Sequence, residues 1–463
     1  MLERLERAHF VGVGGSGMSP LAEVLLRRGV QVSGSDEKAT AVTAQLQAIG
    51  LEFHHGHDAS HVSDVDVVVR SSAVRPSNPE VVEAGRRGIP VMLRGELLAQ
   101  LMAGKTGIAI AGAHGKTTTT AMAGLMLDRA GLDPTVIIGG RLAQFGSSAR
   151  VGGGALLVAE ADESDRSFLL LAPVFAIVTN IDREHLESYV DLADLEQAFA
   201  SFVERLPATG AAVLCVDDPA LGRIAAATTT RVVGYGLDDP TATITAVDVA
   251  AEGFGGRATV VRRSAPGRSD VLGTLTLQVP GRHNVANALA VVALGLELGL
   301  PFAAIAAALA EFRGAERRFE RKGEARGITV IDDYGHHPTE IVAVLRAARA
   351  AGARRVLCVF QPHRYSRTAH LLADFGPALA LADAVVLTDI YPAGEEPLPG
   401  ITVEAVADEV RKAGGRVNIV PRLADVAAAV ARIAEPGDLV LTMGAGSVGG
   451  LGPAVVEAIR SCR

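Results

Sequence analysis

The chain has 463 residues, 49 % of them apolar and 21 % charged, with a formal net charge of −8. That length predicts about three domains. The apolar share excludes a disordered chain, and the acidic balance argues against a nucleic-acid partner, which would want a basic face. Three cysteines, Cys215, Cys358 and Cys462, lie far apart with no disulfide or zinc spacing. That pattern predicts a reducing, cytoplasmic setting. The first ten residues, MLERLERAHF, are charged and enter a strand without a leader-like apolar run. The most apolar long stretch, 285–312, is interrupted by Asn287, Glu297 and Pro301. It reads as two packed helices rather than a membrane-inserted span.

Apolar strand-like runs alternate with helical patterns from end to end, which predicts an α/β fold. A first Rossmann-like unit, residues 1–104, carries strands in AHFVGV, VQVSGS, VDVVVRSSA and IPVML. A central unit, 105–312, carries IAIAG, TVIIGG, ALLVAEAD, FAIVTNID and AAVLCVDD. Within it ATITAVDVA, RATVVRR and VLGTLTLQV follow one another without helices, predicting a small antiparallel patch. A third unit, 313–463, restarts the alternation with GITVIDDY, RRVLCVF, ADAVVLTDI, RVNIVPR and DLVLTMGAG. Pro338 is expected at the start of a helix, where its missing N–H does no harm.

Three glycine-rich turns stand between strand and helix. Gly12 to Gly17 has the G-x-G-x-x-G spacing of a dinucleotide site, with Asp36 about twenty residues on. Taken alone it would suggest a nicotinamide dehydrogenase. The same spacing recurs at Gly444, Gly446 and Gly449 in a chain with 51 glycines. It therefore means a tight turn able to approach a phosphate, and does not by itself mean NAD. The strongest signal is IAIAGAHGKTTTT, an apolar strand, a turn through Gly112 and Gly115, then Lys116, Thr117 and a helix. Backbone N–H groups of such a turn cradle phosphates, the lysine neutralises them, and the threonine hydroxyl suits Mg²⁺. The loop is shorter than the full Walker pattern, because position 110 is isoleucine.

Acids and other polar residues gather at the ends of later strands, where parallel sheets place ligands. Glu160, Asp162, Glu163 and Asp165 end one strand; Asn180, Asp182 and His185 end the next. Carboxylates with an imidazole suit a divalent cation held against a triphosphate. In the third unit Asp332, Asp333, His336 and His337 follow one strand, and His363, Arg364 and Arg367 follow another. Paired arginines suit carboxylate or phosphate.

GVGGSGM, SSAV, NPE, GAHGKTTTT, EADESD, TNIDREH, PGRHNVANALA, RRFE, DDYGHHPTE, FQPHRYSRT and YPAGE occur in this order over nearly the whole chain. Together they resemble the Mur ligase family of peptidoglycan synthesis. The motif order is similar to that of the member joining L-alanine to UDP-N-acetylmuramate; a murein-tripeptide ligase of cell-wall recycling is the alternative. The resemblance implies three domains, for UDP-sugar, ATP and amino acid, with ATP and two Mg²⁺ ions. It implies that Gly112, His114, Gly115, Lys116, Thr117 and Thr118 hold the ATP phosphates. Thr117, Glu160 and His185 would serve magnesium. Asn284, Asn287, Arg318 and Asp333 would reach the nucleotide. Gly14, Gly15, Ser16, Gly17, Asp36, His57, Ser71 and Ser72 would bind the UDP-sugar. Tyr334, His336, Arg364 and Arg367 would face the reacting carboxylate and the amino acid. Lys116, Glu160, His185, Arg318, Asp333 and His336 are the catalytic set. Small-molecule partners are implied, with the chain a monomer or homodimer. The segment after His185, through residue 202, has no lysine that could be carbamylated as in several relatives.

Overall fold

The computed structural model describes residues 4–142, 144–184, 188–265 and 267–462. His185 thus lies outside the described residues. The chain is three-domain α/β in architecture, with three sheets that follow one another along the sequence. By compactness it forms two units: Met1–Val247 with Thr259–Leu275 and Ala286–Glu311, and Asp248–Ala258 with Thr276–Val285 and Phe312–Arg463.

The first sheet has strands β1 Arg7–Val11, β2 Gln31–Asp36, β3 Glu52–His55, β4 Val67–Arg70 and β5 Val91–Leu93, in the order β3-β2-β1-β4-β5. All its pairs are parallel. Its order reverses between β1 and β4, so a crevice opens beyond their carboxyl ends. Gly12 follows β1 there, and Ser71 and Ser72 follow β4.

The second sheet takes β6 Thr106–Ala111, β7 Thr135–Leu142, β8 Ser147–Arg150, β9 Leu156–Glu160, β10 Phe175–Val178, β11 Ala211–Cys215, β12 Val232–Tyr235, β13 Ile244–Glu252, β14 Gly255–Ala265 and β15 Arg268–Leu277. Their order is β15-β14-β13-β12-β11-β10-β6-β9-β7-β8. β6 pairs in parallel with β9 on one side and β10 on the other. Ile108, Ala109, Ile110 and Ala111 are fully buried. Such a continuous apolar run is what a strand covered on both faces requires. A second switch point therefore falls at the end of β6. Behind this sheet Phe168 packs against Phe199 and Phe202, each ring 5.1 Å away.

The third sheet contains β16 Glu320–Ala325, β17 Ile328–Asp333, β18 Arg355–Phe360, β19 Ala384–Leu387, β20 Val417–Ile419 and β21 Asp438–Met443. Their order is β16-β17-β21-β18-β19-β20, with only β16 antiparallel to its neighbour. Pro338 opens the helix Pro338–Ala350 behind an N-cap at His337, as expected. Cys215 and Cys358 are buried in strands, and burial pushes both thiols up to about 12. They are inert packing groups at neutral pH. Among the described residues no helix is long and apolar enough to cross a membrane.

Phe199 is fully buried. Phe199→Ala is expected to cost about 3–5 kcal/mol, read as an earlier denaturant transition of the first unit. A shift below about 1 kcal/mol would show that this aromatic cluster does not carry the packing.

Candidate active site

The turn after β6 is built around two glycines with positive φ. Gly112 (φ 126°) has Thr179 Oγ1 where a side chain would stand, and Gly115 (φ 83°) has Asn287 Oδ1 there. Neither place has room for a Cβ, and the backbone conformation suits glycine alone. The loop is pinned to the end of β10. His114 N–H donates to Asn180 Oδ1 (2.9 Å), Asn180 Nδ2 donates to His114 O (3.0 Å), and Thr179 Oγ1 donates to the same carbonyl (2.6 Å). His114 Nε2 lies 2.8 Å from Asp182 Oδ2. Helix Lys116–Arg129 starts directly from the turn with Thr117 and Thr118 in its first turn, both buried.

Lys116 Nζ donates to Gly112 O (2.6 Å) and to Glu163 Oε1 (2.8 Å). Burial works against its charge, but the carboxylates of Glu163, Asp162 and Glu160 outweigh it and raise the amine's pKa. Lys116 is therefore a cation at neutral pH. Thr117 Oγ1 stands 3.2 and 3.1 Å from the two oxygens of Glu160, and Gly139 N–H holds Glu160 Oε2 at 2.8 Å. A hydroxyl beside a fixed carboxylate is an all-oxygen donor set of the kind Mg²⁺ takes.

The glycine turn after β1 lies in the same unit. Gly12 and Val13 N–H donate to Ser35 O at 2.9 and 3.0 Å. Asp36 Oδ2 accepts Gly14 N–H at 3.0 Å, so the acid braces the turn itself. Arg94 crosses from this turn to the central acids. A methyl on Gly17 would lie 2.7 Å from Arg94 Nη1, and the guanidinium pairs with Asp162 and, at 3.5 Å, Asp165. Ser72 Oγ donates to Asp165 Oδ2 at 3.0 Å. Arg94 and Lys116 together hold the Asp162 carboxyl well below the usual range despite burial. His57 Nδ1 lies 2.9 Å from both Ser35 Oγ and Glu80 Oε2. Gly15, Ser16 and Ser71 lie along the two strand-end loops of this crevice.

In the third domain, Asp333 ends β17 fully enclosed, with N–H groups of Gly335 (2.7 Å) and Phe319 (2.8 Å) on its oxygens. Burial raises its pKa to about 6 against the pull of Arg318. Arg318 stacks over Tyr334 at 5.1 Å and lies 3.6 Å from Glu340. Tyr334 meets His336 edge-on at 5.4 Å, His336 meets His363 at 6.0 Å, and Arg367 Nη1 lies 3.0 Å from His363 Nδ1. Arg364 sits at the start of its helix, 4.0 Å from Glu395. Asn284 donates to Pro280 O at 2.7 Å. At the second G-x-G-x-x-G, Arg317 donates to Gly444 O, and Gly446 and Gly449 are faced by Tyr391 and Arg317.

Sequence reasoning grouped Glu163 with the strand-end acids suited to a cation and missed its pairing with Lys116; it assigned no role to Arg94. Glu163 was visible in EADESD, but its contact with Lys116 spans 47 residues. Arg94 has no local signal at all. It opens the helix Arg94–Met102, and its partners lie 68 and 71 residues on.

Three sequence profiles of one family match the chain: "Mur ligase family, catalytic domain" over 7–106, "Mur ligase middle domain" over 110–295, and "Mur ligase, glutamate ligase domain" over 317–446. A UDP-N-acetylmuramate–L-alanine ligase of Anaeromyxobacter sp. is 50 % identical over 459 residues, 99 % of each chain. The solved UDP-N-acetylmuramate-alanine ligase of Thermotoga maritima superposes with a TM-score of 0.83 at 31 % identity, covering 99 % of this chain and 100 % of that one. A murein peptide ligase from Psychrobacter arcticus gives 0.74 at 25 % identity, covering 98 % and 99 %. The chain belongs to the Mur ligase family, and the dehydrogenase reading of Gly12 to Asp36 falls.

Lys116→Ala is expected to abolish ATP-dependent phosphate release while the chain stays folded; unchanged turnover would refute the loop's role. Asp333 supplies a pH test. Its folded pKa, about 6, lies above its ordinary value of 3.8. The folded state therefore holds the extra proton between those pH values, and stability falls as pH rises through that window. Asp333→Asn cannot ionise, so its melting temperature should gain on the parent as pH rises from about 4 to about 6; no gain, or a loss, contradicts the assignment.

Proposed function

We propose that the chain joins the lactyl carboxylate of UDP-N-acetylmuramate to the amine of L-alanine, converting ATP to ADP and phosphate, in peptidoglycan assembly. The observation that carries this reading is Arg94, one side chain against both the first glycine turn and the acids beside Lys116. An acceptor held at the first turn would then share one site with the phosphates held at the second. Residues 1–104, 105–312 and 313–463 would take the sugar nucleotide, ATP and the amino acid.

A carboxylate does not react with an amine at neutral pH. In the proposed reaction its oxygen attacks the γ-phosphorus, the bond to ADP breaks, and an acyl phosphate forms. The amine of alanine attacks the acyl carbon, loses a proton, and phosphate leaves with the C–O electron pair. Such transfer depends on positioning and charge neutralisation. Lys116 neutralises the transferring phosphoryl group. Thr117 and Glu160 would hold Mg²⁺, with His185 completing the set expected from the sequence. When bound, the cation would neutralise phosphate charge and orient the triphosphate. Asn287 and Arg318 would hold the nucleotide, and His336, Tyr334, Arg364 and Arg367 the carboxylate and incoming alanine.

Phosphate release with ATP, Mg²⁺ and UDP-N-acetylmuramate should require an amino acid, with kcat/KM highest for L-alanine over glycine, serine and the murein tripeptide. Release without sugar or amine would sink the ligase reading. A preference for the tripeptide would move the chain to cell-wall recycling.

A further inference from the structure

Glu80 lies in the first turn of helix Pro79–Arg87, fully buried beneath the first sheet's crevice. Side chains from several elements converge on its two oxygens. Ser35 Oγ donates to Oε2 at 2.7 Å and His57 Nδ1 reaches the same oxygen at 2.9 Å. His61 Nδ1 reaches Oε1 at 2.7 Å, and His9 Nε2 lies 3.3 Å from it. His9 is itself fixed by Ser33 Oγ at 2.8 Å from Nδ1, and His54 stacks on His61 at 4.2 Å. Burial alone would raise this carboxyl's pKa, but the hydrogen bonds from Ser35 and His61 and the nearby His9 ring outweigh it and push it down to about 2. Glu80 is a buried anion that tolerates burial because both oxygens are saturated with donors.

What this anion grips leads to the glycine turn. Ser35, held through its hydroxyl, is the residue whose carbonyl takes the N–H groups of Gly12 and Val13. Its neighbour Asp36 takes Gly14 N–H. A carboxylate only accepts, so His57 carries a proton on Nδ1 and its ring is fixed in orientation by Glu80. We propose that Glu80 is a positioning residue for the sugar nucleotide, fixing the Gly12–Gly17 turn through Ser35 and holding the orientation of the His57 ring. This rests on the UDP-sugar binding at that turn, as proposed above.

The test is steady-state kinetics of the full chain with UDP-N-acetylmuramate and ATP varied separately. In Glu80→Gln one carboxylate oxygen becomes an NH₂ facing donors. Its KM for the UDP-sugar should rise about tenfold or more, while kcat and the KM for ATP stay within about twofold. Ser35→Ala, a milder change on the same path, should move the same constant in the same direction and carries the test if Glu80→Gln does not fold. Asp36→Ala checks the underlying site reading. If Asp36→Ala raises the sugar KM but Glu80→Gln and Ser35→Ala do not, the positioning role is overturned and the site stands. If none of the three raises it, the turn is not the sugar site and both readings fall. Equal losses in kcat and in both KM values would mark Glu80 as a general fold element and overturn the proposal too.

Discussion

The organising constraint of this molecule is one half-buried ammonium among carboxylates. Lys116 stands at the end of β6, and Glu160, Asp162 and Glu163 supply the negative charge that lets it stay ionised there. A half-buried lysine without them would lose its proton more readily, and with it the capacity to neutralise a phosphate. The acids must stand at the end of the neighbouring strand, which requires β9 beside β6. Thr179 and Asn180, at the end of β10 on the other side, hold the loop's carbonyl. The strand order of the central sheet thus follows from what the loop needs on its two flanks.

The same charge cluster reaches into the first domain. Asp162 and Asp165 take Arg94, and Arg94 stands against Gly17. A cation at this junction ties the first glycine turn to the acids beside the Lys116 turn. The fixed carboxylates on one side and the braced glycine turn on the other give the first unit preorganised polar groups. Such groups act without reorganising at the moment of reaction.

Much of the fold was legible because buried parallel strands are apolar runs that single-sequence patterning detects. Of the strands that escaped, β3 (EFHH), β8 (SSAR) and β16 (ERKGEA) lie at sheet edges, while the short β12 (VVGY) lies inside the second sheet. An edge strand pairs on one side only, so its sequence can be short and polar. The glycine turn after β6 was legible because its glycines, lysine and threonine are contiguous. Arg94 and Glu80 were not, since each acts on residues that only folding brings near. The second G-x-G-x-x-G shows the converse. Its spacing is the same, but Arg317 binds the Gly444 carbonyl and, with Tyr391, stands against Gly449 and Gly446.

The central claim is that the chain activates a carboxylate by phosphoryl transfer at the Lys116 loop. Ligation run with UDP-N-acetylmuramate labelled with oxygen-18 in its lactyl carboxylate tests this most directly. An acyl phosphate hands one carboxylate oxygen to the leaving phosphate, so the released inorganic phosphate should carry one label per turnover. Unlabelled phosphate, or label appearing in AMP, would contradict the account.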